Sequence, residues 1–344
     1  MDLSLSDEQR LIQSTFAEFL RREAPSAVVR AAEPLGFDAS LWASFAKLGA
    51  VGVGVSEAEG GAGGGLLEMV LVAEEVGARL APVPFVETAV AARLVADLAS
   101  PQGPRIAALL EGSQLATLAP WDAAATPEQL VPAGGVAQVA IARAGDTVLA
   151  VPPPEGTRPA SNLASAPLAS WRIAAGDALV LARGTRAVQR FERALDEWRL
   201  LTAAALVGVT RGALALAVDY ATHREQFGVP IGTFQAISHP LADAATWLDG
   251  ARLLVQEAAW SAGEEPQRFP ELCAMAFAFA AEIAPRIAET CLHVHGGYGF
   301  SVEYDVQLHY RRARGWALVG GGAAGELRRL GELQRDNLDA SGVR

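Results

Sequence analysis

The sequence predicts a three-part protein: an all-helical N-terminal domain, a small central β domain and a C-terminal four-helix bundle. Apolar residues recur at helical spacing over long runs at both ends of the chain. Between about residues 101 and 191 the pattern changes to short alternating segments separated by Gly, Pro and Asp. The chain has 344 residues, 51% of them hydrophobic and 19% charged, which is enough apolar material for more than one core. We place the domains at 1–100, 101–191 and 192–344.

Ser6 and Gln9 form a capping-box pattern ahead of Leu11, Ile12, Phe16, Phe19 and Leu20, so the stretch from Ser6 to Arg22 reads as a capped helix. Leu41, Trp42, Phe45 and Leu48 mark a second helix, closed by Gly49. The glycine-rich run 59–65 lacks the Lys-Ser/Thr of a phosphate loop and reads as a turn before a helix over 66–80. Ala81-Pro-Val-Pro-Phe85 breaks that helix, and residues 86–98 form another. In the β segment, 136–142 and 147–151 flank Arg143-Ala-Gly-Asp146 as a hairpin, with further strands expected at 178–182 and 188–191. The rest is helical, in runs at 192–222, 238–263, 269–295, 303–318 and 325–337 joined by short loops. Ser238 is the expected cap of the second run, with Pro240 early in it.

A net charge of −11 and the absence of any Lys/Arg block argue against a nucleic-acid partner. Lys47 is the only lysine. Cys273 and Cys291 lie in apolar helical surroundings without metal-ligand spacing, so no metal site is expected and a reducing compartment is. The N-terminus is acidic and lacks an apolar signal core, and the apolar runs are interrupted by Glu, Arg or Gly. A cytoplasmic protein with no membrane span is the expectation.

The most informative stretch runs from His223 to Ala244, between two of the long helical runs. Gly228, Pro230 and Gly232 break the helix there, leaving Arg224, Gln226 and Phe227 at a crossing and Gln235 just beyond it. A planar guanidinium suits a diphosphate, an aromatic face suits stacking, and an amide can read ring edges. An ordinary corner with an exposed Arg has the same pattern. The run R-E-Q-F-G-x-P-I-x-x-F-Q-x-x-x-H-x-L-A-D, followed by Leu292-His-Val-His-Gly-Gly-Tyr-Gly-Phe300, resembles the signature of the acyl-CoA dehydrogenase family. The likeness covers the N-terminal third and the C-terminal half. The middle matches poorly, with Leu115 to Trp121 standing where the family's T-E-x-G-S-type flavin-ring loop is expected.

The resemblance implies the corresponding fold, FAD as cofactor and an acyl-CoA substrate. It also implies that Arg224, Gln226, Phe227, Gln235, His293, Gly296 and Gly297 hold the ADP side of an FAD bound mainly by a neighbouring subunit. Asp243 ends the signature and is read as a capping or bridging acid.

The family's chemistry needs a carboxylate base, and here the chain departs from the pattern. The common base position falls on Gly320. The alternative position, 26 residues ahead of Arg224, is Trp198. Asp196 and Glu197 are adjacent, but one residue turns a helix by about 100°, and acids at a helix start are also favoured by its dipole. Glu197 is therefore a weak candidate base; Glu303 is read as structural, and Glu326 lies on the last helix beyond the base position. A chain that keeps its donated nucleotide contacts but lacks a base implies a partner, a second acyl-CoA dehydrogenase subunit in an α2β2 assembly. A self-sufficient homotetramer using Glu197, or a non-catalytic scaffold on the same fold, are the alternatives.

Overall fold

The computed structural model describes residues 3–173, 176 and 178–341. Two compact units emerge, one of Met1–Ser26, Ala73–Ala81 and Arg199–Arg344, the other of Ala27–Val72 and Pro82–Trp198.

The second unit carries α2 (Ser26–Ala31), α3 (Ala39–Lys47), α5 (Phe85–Leu98), α6 (Ile106–Leu110) and six strands. α1 (Asp7–Glu23) and the C-terminal part of α4 (Leu66–Ala78) belong to the first unit. The strands are β1 (Ala116–Leu118), β2 (Glu128–Val131), β3 (Val139–Ala144), β4 (Thr147–Val151), β5 (Ala169–Arg172) and β6 (Leu179–Arg183). They form a four-stranded sheet in the order β1-β3-β4-β6 and a two-stranded pair β2-β5. The expected hairpin is present: Ala144 pairs with Thr147, leaving Gly145 at positive φ to open a two-residue turn. Trp171 is fully buried in the β core, and its indole N–H donates to the Gly134 carbonyl at 3.0 Å. The Thr88 hydroxyl donates to the Ala116 carbonyl at 3.1 Å and so ties α5 to β1.

The first unit is helical. It holds most of α7 (Thr185–His223), a small ribbon of β7 (Glu225–Gln226) and β8 (Val229–Pro230), α8 (Gln235–Glu264), α9 (Phe269–Val294), α10 (Val306–Trp316) and α11 (Gly322–Ser341). α4 and α7 touch backbone to backbone: a Cβ on Gly208 would lie 2.0 Å from the Glu74 carbonyl oxygen, so only glycine permits the crossing. Beside it the buried Glu74 and Glu75 are matched by arginines. Glu75 meets Arg211 at 2.7 Å, and Glu74 meets Arg252 at 3.0 Å.

The capping box of Ser6 and Gln9 forms in both directions, at 3.1 and 2.9 Å. Two sequence expectations need correction. Residues 188–191 are not a strand but part of α7, because Ala187, Phe191, Leu195 and Trp198 bury one stripe at helical spacing. Nor does Ser238 cap α8, which begins a turn earlier, and its hydroxyl donates to the Phe234 carbonyl from inside the helix. Pro240 accordingly lies inside α8. Among the described residues, only α7 is long and apolar enough to cross a membrane, and 67% of its most apolar window is buried inside the fold.

His309 sits in the core of this unit. Its Nδ1–H donates to the Val209 carbonyl at 2.9 Å, and the ring packs where a Cβ on Gly212 would fall 2.3 Å away. Burial holds its pKa down at about 4, against partial opposition from the Val209 bond. The folded state therefore keeps the ring neutral while the unfolded chain takes a proton below about 6.5. Stability from this site is complete above about pH 6.5 and is lost as pH falls toward 4, by about 3 kcal/mol in all. Urea unfolding at stepped pH should show this loss, and His309→Gln should remove that part of the slope.

Candidate functional site

The crossing after α7 is a tight hairpin. Glu225 pairs with Pro230 and Gln226 with Val229, so Phe227 and Gly228 form a two-residue turn with φ of 55° and 81°. Such turns select Asn-Gly because both central residues take left-handed backbone. A bulky Phe there costs on the order of 1 kcal/mol. Nothing inside the chain compensates by burying the ring: Phe227 is 94% exposed, with only an edge contact to Phe234 at 6.1 Å. The Arg224 guanidinium is exposed and meets no acid among the described residues, while its backbone closes the turn from Tyr220 to Ile231. Gln235 is exposed as the first residue of α8. The Gln226 amide donates to the Glu225 carbonyl at 2.6 Å. Asp243 is exposed on α8.

The second motif is brought to this corner by aromatic stacking. Tyr220 lies one turn before Arg224, and its ring stacks on His295 at 4.5 Å with a 24° interplanar angle. His295 is buried and donates from Nδ1 to the Cys291 carbonyl at 2.8 Å, since a carbonyl can only accept. Tyr304 meets the same imidazole edge-on at 6.2 Å and stacks on Tyr298 at 5.3 Å. His293 is exposed on the last turn of α9. Gly296 follows at φ 59°, and a Cβ on it or on Gly297 would meet nothing within 4 Å. Gly299 differs, because a Cβ there would lie 2.4 Å from the Leu292 carbonyl oxygen. Internal packing explains Gly299. It does not explain Gly297, whose bare backbone faces open space.

The carboxylate candidates are placed very differently. Glu197 is 4% exposed, and Arg93 reaches both of its oxygens, with Nε at 3.0 Å and Nη2 at 3.3 Å. Arg193 adds a third contact at 3.5 Å, and Arg93 also donates to the Gly54 carbonyl. Trp198 is buried and its indole N–H donates to Glu87, whose carboxyl is pushed up by burial and partly restrained by its own backbone N–H and by Trp198. Asp196 is buried and Glu303 exposed. Gly320 lies at φ 72° and ψ 14°, with Gly321 and Gly322 also at positive φ. Glu326 is buried and accepts from Arg199 Nε at 2.7 Å. Neither Glu87 nor Arg93 stood out in the sequence, although both are charges isolated in an otherwise apolar helix face. That isolation was the available signal.

Two family profiles match the chain. Residues 6–103 match "Acyl-CoA dehydrogenase, N-terminal domain" and residues 183–332 match "Acyl-CoA dehydrogenase, C-terminal domain". The chain belongs to the acyl-CoA dehydrogenase family. It is 30% identical to acyl-CoA dehydrogenase IpdE2 of Mycolicibacterium smegmatis over 329 residues, covering 95% of this chain and 98% of the relative. Among solved structures it resembles a variant of the Tcur3481–Tcur3483 steroid ACAD, with a TM-score of 0.86 and 26% identity over 98% of this chain and 100% of that one. It also resembles the ChsE4–ChsE5 complex from Mycobacterium tuberculosis, with a TM-score of 0.84 and 27% identity over 96% and 98% of the two chains. Acyl-CoA dehydrogenases are flavin-dependent oxidoreductases acting on CH–CH bonds, and the helical, β and helical segments follow their fold.

Arg93→Ala leaves the buried Glu197 without its two-pronged partner and should cost on the order of 3 kcal/mol in urea unfolding. Arg93→Ala combined with Glu197→Gln should recover most of that loss. A double mutant no more stable than the single would show that the pair is not what holds Glu197.

Proposed function

We propose that this chain is the base-deficient, nucleotide-gripping subunit of a hetero-oligomeric, FAD-dependent acyl-CoA dehydrogenase that desaturates an acyl-CoA thioester. The observation that carries the reading is the outward display of the corner. Arg224 meets no acid among the described residues, Phe227 holds a costly backbone conformation with 94% of its surface exposed, and the Gly296–Gly297 backbone is open. These groups fit the ADP side of FAD. Arg224 would pair with the diphosphate and Phe227 would offer a stacking face. Gln226, Gln235 and His293 would hydrogen-bond, and the two glycines would let the backbone approach. FAD, when bound, supplies the hydride acceptor. Because these residues point out of the chain, they serve a flavin seated chiefly on another subunit, and a second acyl-CoA dehydrogenase chain in an α2β2 assembly is that partner. Both similar solved structures carry two-component names, one of them a steroid enzyme, which supports a pairing and a bulky acyl group. We retain 1–100, 101–191 and 192–344 as the functional divisions.

Glu197 as a base in a homotetramer is the weaker reading. Glu197 is buried and both its oxygens are engaged by Arg93, so neither is free to meet a substrate carbon. Its removal should leave turnover of the complex intact, so Glu197→Gln that abolished dye reduction by an acyl-CoA would restore the homomeric reading. A chain that stays colourless with FAD and with its partner would favour the scaffold.

The direct test compares the protein purified alone with the protein co-expressed with an acyl-CoA dehydrogenase partner. The pair should be yellow and active and the lone chain nearly colourless; full flavin loading and turnover by the lone chain would refute the proposal. Phe227→Asn separates function from folding. Asn suits the turn, so the thermal midpoint should hold or rise, while FAD retention by the complex should fall by about tenfold. Unchanged retention in both Phe227→Asn and Arg224→Ala would remove the corner from the site.

A further inference from the structure

Lysine occurs once among the 28 lysine and arginine residues of the chain, at Lys47 in the last turn of α3. A cation there meets the helix dipole. Arginine fills the same role in α1, with Arg21 and Arg22, and in α2, with Arg30. The dipole therefore accounts for a cation at this position but not for a lysine. An amine differs from a guanidinium in one respect that matters chemically: without its proton it is a nucleophile, and lysine is the side chain that becomes acylated.

The surroundings of Lys47 suit that reaction. It stands at an open groove of about 700 Å³, within the range of small-molecule sites. One wall is the α3 face that carries Ala43, Ala46 and Lys47, three and four residues apart. The floor is apolar, because Leu110 lies where a Cβ on Gly52 or Gly60 would come within 3.7 Å of its methyl groups. The adjoining turn offers no donors. Its Gly60, Gly61 and Ala62 N–H groups go to the Glu57, Ser56 and Gly52 carbonyls at 3.0, 2.9 and 2.9 Å. That spends the backbone a phosphate would need, and leaves Lys47 and Glu111 as the charged groups of the lining. Both are exposed, and neither forms an ion pair among the described residues.

We propose that Lys47 is an acylation site for acyl thioesters, with the apolar groove sheltering the acyl chain while the amine attacks. The neutral amine adds to the thioester carbonyl carbon. The C–N bond forms, the C–S bond breaks, and the thiolate leaves and takes up, through solvent, the proton lost from nitrogen. The amide product is uncharged, so the groove loses its one cation. Acyl-CoA thioesters, the class on which the family acts, are such donors. The site uses no residue of the Arg224 corner and needs neither flavin nor a second subunit.

The test uses the full chain alone, with octanoyl- and acetyl-N-acetylcysteamine as donors. These are thioesters without a nucleotide, so CoA recognition plays no part. Peptide mapping by mass spectrometry should find the octanoyl group on Lys47, formed faster at pH 9 than at pH 7, and Lys47→Arg should remove that adduct. A blocked peptide of residues 43–51 in the same mixture sets the rate of an unsheltered lysine. Sheltering two methylenes is worth about tenfold, so the folded chain should exceed the peptide by at least that factor with the octanoyl donor. With the acetyl donor the two should agree within about threefold. Ala43→Trp fills the groove from an exposed position, and should bring the octanoyl rate down to that of the peptide with the thermal midpoint unchanged. No adduct on Lys47, an octanoyl rate no faster than the peptide's, or equal acceleration of both donors overturns the proposal. None of these outcomes bears on FAD retention by the complex, so the Arg224 corner stands or falls separately.

Discussion

The stacking of Tyr220 on His295 is the contact on which the candidate site depends. It joins the end of α7 to the end of α9, so the hairpin with Arg224 and Phe227 is held beside the Gly296–Gly297 turn. Two stretches some 70 residues apart in sequence thus present one surface. The His295 ring is fixed by its own bond to the Cys291 carbonyl, and Tyr304 closes its edge, so the yoke is rigid at three points. Packing of this kind holds the buried His295 and the half-buried Tyr220 and Tyr304 in place and leaves the exposed groups beyond them free to meet a ligand.

The acids near α7 follow the opposite logic. Glu197, Glu74, Glu75 and Glu326 are all buried and all answered by arginine. A chain with one lysine and many arginines uses planar, multi-pronged partners for its interior charge. Such pairing offsets the cost of burying a carboxylate and fixes it in place.

Much of this was legible beforehand. Capping of α1, the hairpin around Gly145 and the long C-terminal helices follow from local spacing and turn chemistry, which act over a few residues. The corner residues were readable because Gly and Pro interrupt a long apolar period. The start of α7 is not local information, since Val188 and Phe191 favour a strand locally and only the stripe shared with Leu195 and Trp198 makes them helical. Arg93 and Glu87 were invisible as partners of Glu197 and Trp198, because contacts over about a hundred residues leave no trace in a single sequence. The strained turn at Phe227 likewise required backbone angles.

The three successive left-handed glycines at 320–322 carry a consequence for substitution. Any side chain at Gly320 would have to adopt a φ of 72°, at about 1 kcal/mol of strain, before it could do any chemistry. A glutamate substituted there would therefore meet a backbone shaped for glycine, and accommodating it would require the neighbouring glycine segment to be rebuilt as well.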